Sequence, residues 1–213
     1  MKTDDLISLL AAGAAPLPRR LASKTMAMAI ATGIALATSM VFLTIGARPD
    51  LGQAILLPMF WMKVLFPVVL AAESFVILTR LARPGVSVGI GSISIILPVL
   101  LLWMLAIAAY VSAPLPERAA MVWGQTWQVC TLSIVLISVP IFAALLFALR
   151  QLAPTRLTQA GACAGAFSGA ASAAIYAFHC SEMALPFLAL WYGAGIAVPA
   201  IVGAWLGPRV LRW

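Results

Sequence analysis

The chain is 213 residues long, 64% hydrophobic and only 9% charged, with a net charge of +7. Soluble domains are about one quarter charged and about half apolar, so this composition excludes an ordinary soluble globular domain and points to a membrane protein. The Lys and Arg surplus is spread over short segments between apolar runs, which is the pattern of membrane topology rather than of a nucleic-acid-binding face.

Residues 1–25 form the one long polar stretch. Thr3 is placed to cap a short helix, with Asp4 and Asp5 in its first turn, where acids suit the helix dipole. Leu6, Ile7, Leu9 and Leu10 follow at helical spacing and give it an apolar stripe. Gly13 and Pro16 end it, and Pro18, Arg19, Arg20 and Lys24 come next. Two readings are open: a leader that skims the bilayer, or an amphipathic helix that docks in a partner's groove. A helix this short is marginal alone and would fold against the partner or the bilayer. The acidic start and the length of the following apolar run argue against a cleaved signal peptide.

Six apolar runs follow, each near the roughly 20 residues a spanning helix requires: 26–46, 57–78, 90–111, 127–149, 157–178 and 184–206. The expected fold is all-α. It is a polytopic membrane protein with six transmembrane helices in one bundle and a short amphipathic N-terminal helix; residues 1–25 stand apart from the membrane domain, 26–213. The N-terminal segment, the Arg80–Arg83 and Arg150–Arg156 connections and the C-terminal tail together hold ten Lys and Arg; the opposite loops hold two, Arg48 and Arg118. The positive-inside rule then places both termini in the cytoplasm and Cys130, His179, Cys180 and Glu182 at the outer surface. In the fifth run, Gly161, Gly165 and Gly169 repeat the small-residue spacing that lets helices approach closely, within the bundle or in an oligomer.

Chemistry in so apolar a chain is confined to a few side chains. Cys130 opens the fourth span and Cys180 lies between the fifth and sixth, so the two thiols meet if those spans pack together. The pair reads as a structural disulfide, as a reversible redox pair, or as a soft site that, with His179, takes a thiophilic metal ion. There is no close-spaced Cys pair of the zinc-site kind. Cys163, among small residues, reads as a buried packing residue. Lys63 and Glu73 are intramembrane charges, which are costly and often functional. Lys63 sits near enough to the outer end to snorkel, and Glu73 lies deeper. With one histidine, no phosphate-cradling glycine loop and no dinucleotide fingerprint, the chain does not read as an enzyme and needs no obligatory cofactor.

Several pieces, taken in order, resemble one family: Met1 to Ile7, the Pro18–Leu21 stretch, Trp61-Met62-Lys63, Arg83-Pro84-Gly85, Trp127 three residues before Cys130, His179-Cys180, Trp191-Tyr192-Gly193 and Leu211-Arg212-Trp213. They resemble the NrsF-type membrane anti-sigma factors, negative regulators of extracytoplasmic-function sigma factors in proteobacteria. The resemblance implies an inner-membrane protein whose cytoplasmic N-terminal segment holds the sigma factor, with Asp4, Asp5, Leu6, Ile7, Leu9, Leu10, Arg19 and Arg20 as the contact residues. It also implies that Cys130 and Cys180 sense heavy metals or oxidants from the periplasm, and it raises the importance of Lys63. Two other readings remain. A thiol–disulfide membrane oxidoreductase shares the outer cysteines but usually carries a close-spaced pair. A metal or ion transporter needs broken helices and midplane polar groups, and Glu73 is almost all there is.

Overall fold

The computed structural model of the chain describes residues 3–5, 8, 21–82, 94–152 and 154–212. Thr3, Asp4, Asp5 and Ser8 are helical and exposed, and the Ser8 hydroxyl donates to the Asp5 carbonyl at 3.0 Å. Leu6, Ile7, Leu9, Leu10, Arg19 and Arg20 lie outside the described residues. From Leu21 onward the described residues form eight helices and no strand: α1 Leu21–Thr44, α2 Leu51–Ala54, α3 Pro58–Leu81, α4 Ile96–Ser112, α5 Leu115–Trp123, α6 Trp127–Leu152, α7 Leu157–Tyr176 and α8 Leu185–Val210.

The helix ends follow local rules. Gly46, at φ 72°, closes α1 in the left-handed conformation that helix C-termini favour, and its N–H returns to the Val41 carbonyl at 2.9 Å. Pro58 and Pro116 sit in the first turns of α3 and α5, where no backbone N–H is needed. Glu117 accompanies Pro116 in the first turn of α5. That pair is a helix-start signal, and it is why the connection around Arg118, between the third and fourth expected spans, contains a short helix. Pro67, Pro140, Pro199 and Pro208 lie inside helices, as packed membrane helices tolerate.

Four stretches are long and apolar enough to cross a membrane: Lys24–Thr44, Pro58–Leu81, Leu115–Leu152 and Leu185–Val210. The six-span expectation is thus met at four helices. The third expected span is an apolar helix of 17 residues, α4, and the fifth is α7. The reason for α7 is physical. It packs against α3, α6 and α8, and most of its length is buried against protein. A helix surrounded by other helices needs little lipid-facing apolarity, and its Gly, Ala and Ser residues contribute little hydropathy each.

The small residues of α7 are spent on close approach to α8. A Cβ added at Gly161 would strike the Gly203 carbonyl, and one at Gly165 the Pro199 carbonyl. At Gly169 it would come within 2.9 Å of Ile196 Cα. The glycine spacing therefore serves an intramolecular seam in which two backbones touch. Buried hydroxyls on the same helix find carbonyls: Ser168 bonds Ala164 at 2.6 Å, and Ser172 bonds Ile134 of α6 at 2.9 Å. Cys163 is only half-buried and packs at the edge of the core rather than inside it.

Candidate functional site

One end of the bundle is polar and buried at once. Its centre is the 177–184 connection between α7 and α8. Around it stand Lys63 from α3, Cys130 from the first turn of α6, Tyr192 from α8, the chain after α1 at Gly46–Asp50, and the α5–α6 turn at Gly124–Thr126.

Cys130 and Cys180 meet here. Both are free thiols, both are buried, and they lie close enough to influence each other's ionisation. The packing of α6 against α7 brings them together across 50 positions of sequence. The neighbouring Cys130 thiol, the Lys63 ammonium and the Glu182 backbone hold the Cys180 thiol below the ordinary thiol range, against burial, which pushes it up.

Lys63 is not a snorkelling side chain. It is 1% exposed, and its ammonium donates to the carbonyls of Cys180 at 2.6 Å and Glu182 at 2.8 Å. The Tyr192 ring lies 5.3 Å from the same nitrogen. An ammonium near the bilayer edge is expected to reach for water; here the 177–184 connection folds back over α3 and gives it carbonyls instead. Arg48 reaches the Cys180 carbonyl from another side, at 3.3 Å, while its Nε and Nη2 grip the Asp50 carboxylate at 2.7 and 2.6 Å. The hydrogen bond to Arg48 holds Asp50 below the ordinary carboxylate range. The Arg48 N–H also donates to the Phe178 carbonyl at 3.1 Å. Two cations thus converge on one loop carbonyl.

The rest of the loop is pinned by its neighbours. The Glu182 carboxylate accepts from the Gln125 N–H at 2.7 Å and the Thr126 hydroxyl at 3.5 Å. Gly124 makes that approach possible. It has φ 53°, and a Cβ there would lie 2.7 Å from the Glu182 carboxyl. The Thr126 hydroxyl is also 4.0 Å from the Cys180 sulfur.

His179 turns away from the thiols. Its Nδ1 bonds the Gly46 carbonyl at 2.9 Å, and its ring packs on Tyr176 at 5.6 Å between centroids. Among the described residues no three His, Cys, Asp or Glu side chains form a group that could hold a metal ion. The structure therefore brings two of the three candidate metal ligands together, Cys130 and Cys180, and gives His179 a different partner.

Residues 188–192 of α8 form a π-helical turn. Such single wide turns mark functional sites in many helices. Here the turn directs Tyr192 into the site, fully buried, and Trp191 against Trp123 and Trp127 at 5.7 and 5.3 Å between ring centroids. The Thr131 hydroxyl bonds the Trp191 carbonyl at 3.0 Å, and the Trp191 indole donates to the Val122 carbonyl at 2.9 Å. The Tyr192 hydroxyl lies close to the Cys180 sulfur but without hydrogen-bond geometry.

Glu73 lies away from this cluster, in an apolar groove between α3 and α4, with its buried Oε2 unpartnered among the described residues. Lys63 lines the same groove. Sequence reasoning singled out Cys130, Cys180, His179, Lys63 and Glu182, and all except His179 take part in the thiol cluster. It missed Arg48, the Gly124–Thr126 turn and the burial of Tyr192 in the site. The Arg48-Pro49-Asp50 tripeptide held a signal: a basic and an acidic residue two apart on a rigid turn favour a local fork-to-carboxylate pair.

The chain matches the family model described as a negative regulator of sigma F, NrsF, over residues 10–213. It is 44% identical to the probable anti-sigma-F factor NrsF of Azospira oryzae and 38% identical to the anti-sigma-F factor NrsF of Caulobacter vibrioides, over the full length of both chains in each case. No solved structure matches it. These relatives are regulators rather than enzymes, which sets the oxidoreductase reading aside. Whole-chain similarity at this level, on an all-helical fold with a free thiol pair at one end, places the chain in the NrsF family of negative regulators of sigma F.

Proposed function

We propose that the chain is an inner-membrane anti-sigma factor that retains an extracytoplasmic-function sigma factor through its cytoplasmic N-terminal segment, residues 1–25, and releases it when the Cys130–Cys180 pair reacts with a heavy metal or an oxidant. Both termini are cytoplasmic in this reading, and the thiol end of the bundle faces the periplasm. The observation that carries it is the pair itself. Two free thiols, distant in sequence, share one buried site in a chain whose relatives are named anti-sigma factors. The site touches α1, α3, α6 and α8 through their ends or connections, so a covalent or ionic change at the sulfurs is felt by most of the bundle. A switch requires that the signal favour one bundle arrangement over the other.

Toward a thiophilic cation, the chain offers two sulfurs, with the His179 Nδ1 engaged elsewhere. A two-sulfur site suits a soft ion bound transiently rather than a resident structural metal. Deleting residues 1–22 is expected to abolish sigma-factor retention in membranes while the helical domain still inserts. Retention by the truncated chain removes the docking role of the tail. Replacing either cysteine with serine is expected to leave retention intact and abolish release by cadmium or peroxide. Release that persists in both variants removes the sensing role of the pair.

A further inference from the structure

Lys63 presents a charge problem. A buried ammonium is costly unless an anion answers it, and Lys63 is 1% exposed. Among the described residues no carboxylate lies within ion-pair distance of it; the ion pair found there joins Arg48 to Asp50. The Glu182 carboxylate is turned toward Gln125 and Thr126. Two of the three donors of Lys63 go to the Cys180 and Glu182 carbonyls, and neither carbonyl carries a full charge. The Tyr192 ring offers only its quadrupole. The ammonium does grip the backbone of Cys180 itself, at 2.6 Å, which sets its charge beside that residue in a site where both thiols are buried.

We propose that Lys63 is the charge partner of Cys180, so that Cys180 is the attacking sulfur of the pair and Cys130 is the sulfur that closes the disulfide. The proposal rests on the reading of the pair as the signal input and assigns unequal roles to its two members. Lys63 acts through Cys180 as a positioning residue: its two carbonyl bonds fix the loop, and its charge favours the anionic sulfur over the neutral one.

With a hydroperoxide as oxidant, the sequence of bonds is definite. The Cys180 sulfur attacks one peroxide oxygen, the O–O bond breaks, and the second oxygen leaves as hydroxide or alkoxide and takes a proton from water. Cys180 is now a sulfenic acid. The Cys130 sulfur attacks it, the S–S bond forms, the S–O bond breaks, and the hydroxyl leaves as water with the Cys130 proton. Two electrons pass from the pair to the peroxide. Closing the disulfide removes the anion from Lys63 and leaves its ammonium buried beside a neutral group, which gives the oxidised site a physical reason to rearrange.

The test uses the full-length chain in native membranes, with Cys163→Ala to remove the third thiol. Limiting iodoacetamide at neutral pH, read residue by residue by mass spectrometry, is expected to modify Cys180 about tenfold faster than Cys130, the size of effect that a charge-stabilised thiolate gives. Lys63→Met is expected to abolish the preference and Lys63→Arg to restore most of it. In Cys130→Ser, peroxide is expected to leave a sulfenic acid on Cys180 that dimedone traps, whereas Cys180→Ser gives no adduct on Cys130. Equal rates for the two thiols in the parent, or a dimedone adduct on Cys130 in Cys180→Ser, overturn the assignment, and neither result depends on how well Lys63→Met folds. A preference for Cys180 in a protein that never releases its sigma factor supports the assignment and removes the sensing function instead.

Discussion

The α7–α8 seam and the thiol site lie on the same two helices and are built on opposite principles. In the seam, Gly161, Gly165 and Gly169 bring backbone against backbone. At the site, the same helices separate around the 177–184 connection and enclose Lys63, Arg48 and two free thiols. Close-packed apolar contacts have one good arrangement. A buried polar cluster has as many arrangements as its groups have bonding states. Stability and responsiveness are thus divided along the length of one helix pair.

That division is open to attack at both ends. The largest effect is expected in the seam. Gly165→Leu puts a branched side chain where the Pro199 carbonyl already lies and should cost about 3 kcal/mol, read as a lower melting temperature in detergent or as loss of membrane-inserted protein. The fraction that still folds should keep the labelling preference for Cys180; if it does not, the two regions are not separable.

Gly124→Ala is the matching test at the site. It combines a left-handed backbone with a Cβ 2.7 Å from the Glu182 carboxyl and should cost about 2 kcal/mol. Labelling of Cys180 should rise as the loop loses its hold on the α5–α6 turn, with little change in hydrogen exchange along α7. Protection lost along α7 instead would show that the site supports the seam.

A smaller effect is expected at the π-helical turn. Thr131→Val removes the hydroxyl that bonds the Trp191 carbonyl and should cost about 1 kcal/mol, seen in the melting temperature and in a shift of tryptophan emission as the Trp191 cluster loosens. The smallest effect is expected at Asp50. Its pKa is lowered from 3.8 by the hydrogen bond to Arg48, so its contribution is present above about pH 4 and is lost as the pH falls through the lowered value. Asp50→Asn should therefore match the wild type in strongly acid buffer and show slightly faster hydrogen exchange at residues 46–50 near neutrality. An equal difference at both pH values would mean that the carboxylate charge is not what holds the loop.

What could be read from the sequence follows from what each signal depends on. Composition and the apolar runs dictate an all-helical membrane protein, because hydropathy is a sum over residues and needs no knowledge of neighbours. Four helices satisfy that sum. It fails for α7, whose surroundings are protein on most sides, since burial among helices replaces the need for apolar side chains. Spacing alone marked the glycines for close approach, but it could not choose between a second copy of the chain and α8; the complementary Gly203 and Pro199 carbonyls decide for α8. Cys130 and Cys180 were conspicuous because the chain has few reactive groups, and their meeting depended on a single condition, the packing of α6 on α7. His179 looked like their companion because it is adjacent to Cys180 in sequence. Neighbouring residues on an irregular loop point in different directions, and the carbonyl of Gly46 claims the ring. The fate of Lys63 was the least legible. A charge near a helix end reads as reaching for water, and only the fold reveals that a connection nearly 120 residues away lays the carbonyls of Cys180 and Glu182 over it.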